Sequence, residues 1–458
     1  MSSPYAQQSM LPAMFRRWSM GVKLIFVCFL ALLMMIPALL VDSLITDRQN
    51  RQADVVKEIS QHVGGQQTFL GPVLLVPYDI PAASPAERAR HGMYLVFPAQ
   101  ASATVKTTIA ERHRSLFRVP VFQADLKLDS SFDLTGVPAA APQGATLDWD
   151  RAEVVVGVSD PRGALADAVL TAVGKTVTLA PADTLQNMTF GGEPKQVRLT
   201  LFGARLPEII QPNRQFTVSA ALRFSGAQRL AVLAYGKSTR LNEQGDWPSP
   251  GFDGSFLPAT RTVTNSGFTA EWSVPFMARG VRAEGMSTSV MNLEDTALGV
   301  SFVELADPYQ SVNRSLKYVP LFLGLVFLSY FIFEVTTRRR VHPAQYILVG
   351  IAQIIFYLLL LSLAERIGFD FGFLIAGAAT VGLLAANAGW IFASRLQGFR
   401  ALVVFTLLYV LIYLLLRLED NALLVGAIAS FAAVAAAMYF TRGIDWYSSL
   451  PAGASDAQ

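Results

Sequence analysis

Leu24-Ile25-Phe26-Val27-Cys28-Phe29-Leu30-Ala31-Leu32-Leu33-Met34-Met35-Ile36-Pro37-Ala38-Leu39-Leu40 is the run that decides how this chain must be read. It holds no charge and is close to the roughly 20 apolar residues needed to cross a bilayer. It also exceeds the roughly 7–15 apolar residues of a signal-peptide core. Val41-Asp42-Ser43-Leu44-Ile45 follows without a small-x-small cleavage site, so the expectation is an uncleaved anchor, 24–45, behind a cytoplasmic N-terminus, 1–23.

Five further apolar runs lie at 318–335, 345–363, 371–392, 401–416 and 422–440, followed by a tail, 441–458. Between the anchor and these runs, 46–317 has mixed composition. Overall, hydrophobic residues make up 52% and charged residues 16%, with a net charge of +3. That is too apolar for a soluble chain and too charged for helices alone. No basic stripe interleaved with aromatics is present, which argues against a nucleic-acid partner. The one partner fixed by composition is the lipid bilayer.

Charge places the ends. Arg16, Arg17 and Lys23 precede the first span. Six spans then put Arg338-Arg339-Arg340, the pair Arg395 and Arg400, and Arg442 on that same side. Lysine and arginine collect on the cytoplasmic side of short loops, so both termini are expected inside and 46–317 outside. The two outward loops carry one arginine each, Arg366 and Arg417, beside acids. Tyr318, Tyr346, Trp390, Tyr439, Trp446 and Tyr447 stand near span ends, as interfacial aromatics do.

Within the large region the period changes twice. Ile45, Val55, Val56, Ile59 and Val63 recur at near-helical spacing, so 46–63 reads as a helical stalk stopped by Gly64-Gly65. From 66 to 317 the chain reads as β-rich. Val73-Leu74-Leu75-Val76 suits a buried strand. Phe122–Leu128, Val197–Leu201 and Phe216–Phe224 alternate apolar and polar residues. Turn clusters at Asp160–Gly163, Gly191–Pro194 and Gln211–Asn213 separate them, which is the pattern of an antiparallel sandwich. Pro161–Thr171 reads as a short helix. Pro138–Gln143 reads as a loop that offers a division into two β lobes. The fold class is therefore a mixed α+β membrane protein: one N-terminal transmembrane helix, a large sandwich-like all-β domain and a bundle of five transmembrane helices.

Chemistry is sparse. The lone Cys28 lies in the anchor, so the large domain has neither disulfide nor thiolate ligand. His62, His91, His113 and His342 lack metal-ligand spacing. No nucleophile elbow, phosphate-cradling loop or Ser-x-x-Lys occurs. No catalytic, metal or cofactor residue is assigned, and the expectation is a protein that is not an enzyme. The stretch from Asp246 to Arg261 is the candidate ligand or partner loop. It combines Trp247, Phe252 and Phe256 with Asp246, Asp253 and Arg261. Rings stack on apolar ligand faces while carboxylates accept hydroxyl donors. The alternative is a stiff loop whose aromatics plug the core. Gln353 and Asn387 fall within spans. Polar groups at such depth mark transport paths or act as interhelical hydrogen-bond glue. His342-Pro343 opens a span as a helix-entry pair.

The run Gly245-Asp246-Trp247-Pro248-Ser249-Pro250-Gly251-Phe252-Asp253-Gly254-Ser255-Phe256-Leu257-Pro258 is distinctive, and Ser266–Trp272 follows it. With Leu70-Gly71-Pro72-Val73-Leu74, Asp307-Pro308-Tyr309-Gln310, Phe333-Glu334, His342–Gly350 and Thr441–Tyr447, it resembles the CreD family. The matches run in order across nearly the whole chain. The resemblance implies a bacterial inner-membrane protein with its large domain in the periplasm, tied to cell envelope integrity and a stress response, with no established biochemical activity. It leaves three readings. One is a β domain that binds or senses an envelope component, whether glycan, peptide or protein. The second is a transporter or channel through the helices. The third is a tethered enzyme acting on envelope glycans or peptides.

Overall fold

The computed structural model describes residues 20–82, 88–114, 117–191, 196–287, 292–302, 308–337, 339, 341–417 and 422–442. Arg16, Arg17, Asp307, Arg338, Arg340, the Leu418–Asp420 loop, Trp446, Tyr447 and part of the Gly191–Pro194 turn lie outside them. The chain divides into two compact units. One holds 1–51 with 306–458, and the other holds 52–305.

The first unit is helical. Helix α1 (Met20–Leu33) stops one turn before Pro37, and α2 (Met35–Val63) resumes beyond Met34, its residues 52–63 belonging to the second unit. Proline has no N–H to give the preceding turn, which explains the break. Helix α2 ends at Gly64 and Gly65, both at positive φ, and the Gly65 N–H closes back on the Ser60 carbonyl at 2.8 Å. Short α3 (Val137–Ala140) and α4 (Phe276–Arg279) belong to the second unit. The rest belong to the first: α5 (Pro308–Lys317), α6 (Val319–Thr337), α7 (Pro343–Ile367), α8 (Phe369–Ile391), α9 (Arg395–Arg417) and α10 (Ala422–Thr441).

Among the described residues five helices are long and apolar enough to span a membrane, one near the N-terminus and four after the β unit. A shorter apolar stretch, Leu424–Tyr439, lies in α10. Each long helix buries one side and leaves apolar residues on the other. On α8, Phe373, Ala376 and Leu384 are buried while Phe371, Leu374 and Leu383 are exposed. An apolar outer face is what a lipid environment requires. Arg395 and Arg400, expected in a loop, form the first turns of α9.

The second unit is built of strands. Eleven among the described residues form one sheet: β1 (Gln67–Ile80), β2 (Arg90–Val96), β5 (Thr146–Leu147), β6 (Glu153–Val158), β9 (Ala180–Pro181), β10 (Asn187–Phe190), β11 (Val197–Arg205), β13 (Arg229–Leu233), β15 (Pro250–Gly254), β18 (Glu284–Met286) and β19 (Ala297–Phe302). Its main path runs β10-β11-β6-β1-β13-β19-β15. Eight form the other: β3 (Gln100–Arg114), β4 (Phe117–Asp133), β7 (Val169–Ala172), β8 (Lys175–Thr178), β12 (Gln215–Ala227), β14 (Ser238–Gly245), β16 (Thr260–Thr264) and β17 (Gly267–Val274). Their order is β16-β17-β14-β3-β4-β12-β7-β8.

Residues from both sheets share one core. Phe69 meets Phe224 edge-on at 5.3 Å, and Phe122 lies 5.4 Å from Phe302. Central β1 is buried along nearly its whole length, as its unbroken apolar run demands. Three expectations are corrected. The sheets are not wholly antiparallel: β1 runs parallel to β13, and β14 runs parallel to β3. Pro161–Thr171 is a short 3-10 turn, Pro161–Gly163, leading into β7. Pairing with β12 overrides the helix propensity of that alanine-rich stretch. The Pro138–Gln143 region does not separate two lobes, because both sheets take strands from either side of it.

Candidate functional site

The Asp246–Arg261 segment closes one side of the β unit. It leaves β14 at Gly245, crosses to the larger sheet as its edge strand β15, and returns to the smaller sheet as edge strand β16. Its start is fixed because the Ile109 N–H donates to Asp246 Oδ1 at 2.7 Å. Along β15 side chains alternate between faces. Phe252 turns inward and meets Phe268 at 5.9 Å and Trp272 at 6.0 Å, both edge-on. The Arg261 guanidinium sits 5.6 Å above the Phe252 ring, and Trp272 Nε1 donates to the Phe256 carbonyl at 3.0 Å. Trp247 and Phe256 pack half-buried on the core.

Asp253 turns the other way. Its Oδ1 takes Arg229 Nη2 at 2.8 Å and Nε at 2.9 Å. So Phe252, Phe256 and Arg261 come together around Trp272, while Asp246 and Asp253 point to separate partners. The six residues do not converge on one ligand-sized site. Their geometry is that of a plug that seals the sheet edges.

Behind the plug lies a group that motif reading missed. Registers place Arg261, Ala270, Glu243 and Val105 in one row across β16, β17, β14 and β3. Glu243 is buried, and neither of its oxygens has a partner among the described residues. Burial, reinforced by the Asp253 charge, pushes its carboxyl up to about 8, so it is mostly neutral at pH 7. The inward alternation Thr239, Leu241, Glu243, Gly245 was the available signal. Arg279, in α4, is also buried. It gives Nε to the Ala234 carbonyl at 2.8 Å and lies 3.9 Å over the Phe97 ring, and burial lowers it to about 10. Its short segment between Pro275 and Gly280 offered no sequence cue.

In the helical unit both intramembrane amides bridge helices. Tyr409 on α9 donates to Gln353 Oε1 on α7 at 3.3 Å. Asn387 Nδ2 on α8 donates to the Tyr330 hydroxyl on α6 at 3.4 Å, and that hydroxyl donates to the Leu384 carbonyl at 2.8 Å. Glu334, second from the end of its apolar run, is wholly buried. It pairs with Lys23 on α1 and accepts from the Val341 N–H and the Tyr346 hydroxyl, each at 2.9 Å. Lys23 also donates to the Val341 carbonyl at 3.0 Å. This knot ties the N-terminal helix to α6 and α7. His342 caps α7 by accepting from the Ala344 N–H at 3.2 Å.

Comparison with known proteins adds family context to this geometry. A family model described as "Inner membrane protein CreD" matches residues 19–447. The chain is similar to the Escherichia coli (strain K12) protein of the same description. They are 32% identical over 434 residues, covering 92% of each chain.

Proposed function

The chain belongs to the CreD family, and on that premise we propose that this membrane protein serves cell envelope integrity and the envelope stress response without catalysis, its β unit binding or sensing an envelope component. In this reading the β unit faces the periplasm of a bacterial inner membrane, and both termini are cytoplasmic. The observation that carries it is the partition of the chain. The apolar helices gather in one unit and the strands in another.

The interior of the helical unit supports an anchoring role. Phe356 packs against Phe373 and Tyr409 at 5.5 and 5.0 Å, and Tyr330 stacks on Phe405 at 5.4 Å. Gln353 Oε1 and Asn387 Nδ2 each make one hydrogen bond to a neighbouring helix, which favours glue over a solute path, while the buried Gln353 Nε2 has no partner among the described residues. The lysine and arginine bias supports the orientation.

Topology is the first test. With Cys28 replaced by serine, a single cysteine at Met277, which is 95% exposed, should react with a membrane-impermeant thiol reagent once the outer membrane is permeabilised. A cysteine at Arg442 should react only after cell lysis. The reverse pattern rejects the orientation.

A further inference from the structure

The outer face of the eight-stranded sheet carries a trough of about 780 Å³. Its floor is set by register. Arg240, Ser102, Asp129, Ser219 and Thr171 stand side by side on five successive strands, β14, β3, β4, β12 and β7. Neighbouring strands lie about 4.8 Å apart, so this row extends about 19 Å across the sheet. Beneath it the buried Tyr235 hydroxyl donates to the Ser102 and Asp129 carbonyls at 2.9 and 3.2 Å, which holds two of these strands in place.

Charge narrows the occupant. Asp129 is paired with Lys127 at 3.5 Å. Arg240 is exposed and has no anionic partner among the described residues. The trough therefore offers hydroxyls, one compensated carboxylate and one uncompensated cation. A peptide that adds to a sheet needs an unpaired strand edge. Here β14, β3, β4 and β12 are interior strands whose backbones are already paired, so an extended peptide finds no ladder. A lipid surface would need a cluster of cations or an apolar patch. A hydroxyl-rich chain carrying carboxylates matches what remains, since short hydroxyl side chains exchange hydrogen bonds with sugars at little entropic cost.

The rim adds an independent observation. Val173 and Gly174 form the tip of the β7–β8 hairpin, with φ of 48° and 79°. Such turns favour Asn-Gly, and a β-branched residue at positive φ is disfavoured. Val173 nevertheless stands there 74% exposed, beside the trough. An apolar tip held at a strained position suits contact with the apolar face of a sugar ring.

We propose that this trough seats a glycan strand bearing carboxylate groups. The inference rests on the periplasmic reading above and names its ligand class and surface. The test is co-sedimentation of the full chain in detergent with purified murein sacculi. Arg240→Glu and, separately, Ser102→Tyr should each lower the bound fraction at least tenfold while leaving the thermal unfolding midpoint unchanged. Leu257→Glu, on the edge plug, should bind as the unaltered chain does. If the unaltered chain sediments and both trough variants sediment equally well, the trough assignment falls and envelope binding survives elsewhere. If the unaltered chain does not sediment, the glycan assignment falls, and crosslinking in intact envelopes then decides the broader reading on its own.

Discussion

Tyr235 lies with its ring directly over Gly71: a Cβ at Gly71 would come within 2.5 Å of the ring. Gly71 sits in the bulge between Leu70 and Val73 of β1, and Tyr235 is fully buried. The contact explains why the Leu70-Gly71-Pro72 stretch carries a glycine inside an otherwise apolar strand. Gly71→Ala must displace a packed ring and should destabilise the β unit by about 1–3 kcal/mol. Tyr235→Phe keeps the packing and loses only the hydroxyl bonds, which should cost about 1 kcal/mol. Urea unfolding of the full chain in detergent, followed by tryptophan fluorescence, measures both. Full stability of Gly71→Ala would contradict the packing explanation.

Glu243 should make stability fall as pH rises. Burial raises its carboxyl from 4.5 to about 8, so the folded chain holds a proton that the unfolded chain releases. Below pH 4.5 both states are protonated and there is no penalty. Between 4.5 and about 8 the unfolded chain binds fewer protons, and stability drops. Above 8 the penalty is constant. Glu243→Gln removes this slope. Relative to the variant, the unaltered chain should lose on the order of 3–4 kcal/mol between about pH 5 and pH 8.5. Parallel pH profiles of the unfolding midpoint would refute the assignment.

The Glu334 knot should show coupling. Glu334→Gln leaves the Lys23 ammonium without its counter-ion and should cost about 3 kcal/mol. Lys23→Met alone leaves a buried carboxylate and should cost as much or more. The double variant keeps an acceptor for Tyr346 and Val341 and should recover most of the loss. Thermal unfolding in detergent gives the cycle. Additive losses would show that the two residues act separately.

Gln353 and Asn387 should be shielded from water. On a Cys28→Ser background, cysteines at either position should stay unreactive toward polar thiol reagents in native membranes. Rapid labelling at both would restore the transport reading.

The helices were legible because crossing a bilayer fixes both length and apolarity. Strands were legible where burial enforces a period of two: Phe122–Leu128 falls on β4 and Phe216–Phe224 on β12. Strand order was not legible, because parallel partners such as β3 and β14 are joined only by long-range register. The candidate loop shows the same limit. Its composition suggested rings and carboxylates acting together, yet alternation along β15 sends Phe252 and Asp253 to opposite faces. Glu243 escaped motif reading, and Glu334 entered only as part of the family resemblance, because their significance lies in what surrounds them after folding.

The most direct test of envelope binding by the β unit is photo-crosslinking in intact envelopes from single probes at Ser102, Arg240 and Leu257. The trough positions should give adducts that collapse on muramidase digestion, while Leu257 gives none. Absence of any adduct from all three, in envelopes where a lipid-facing probe at Leu407 still captures lipid, would contradict the trough as the envelope-binding surface.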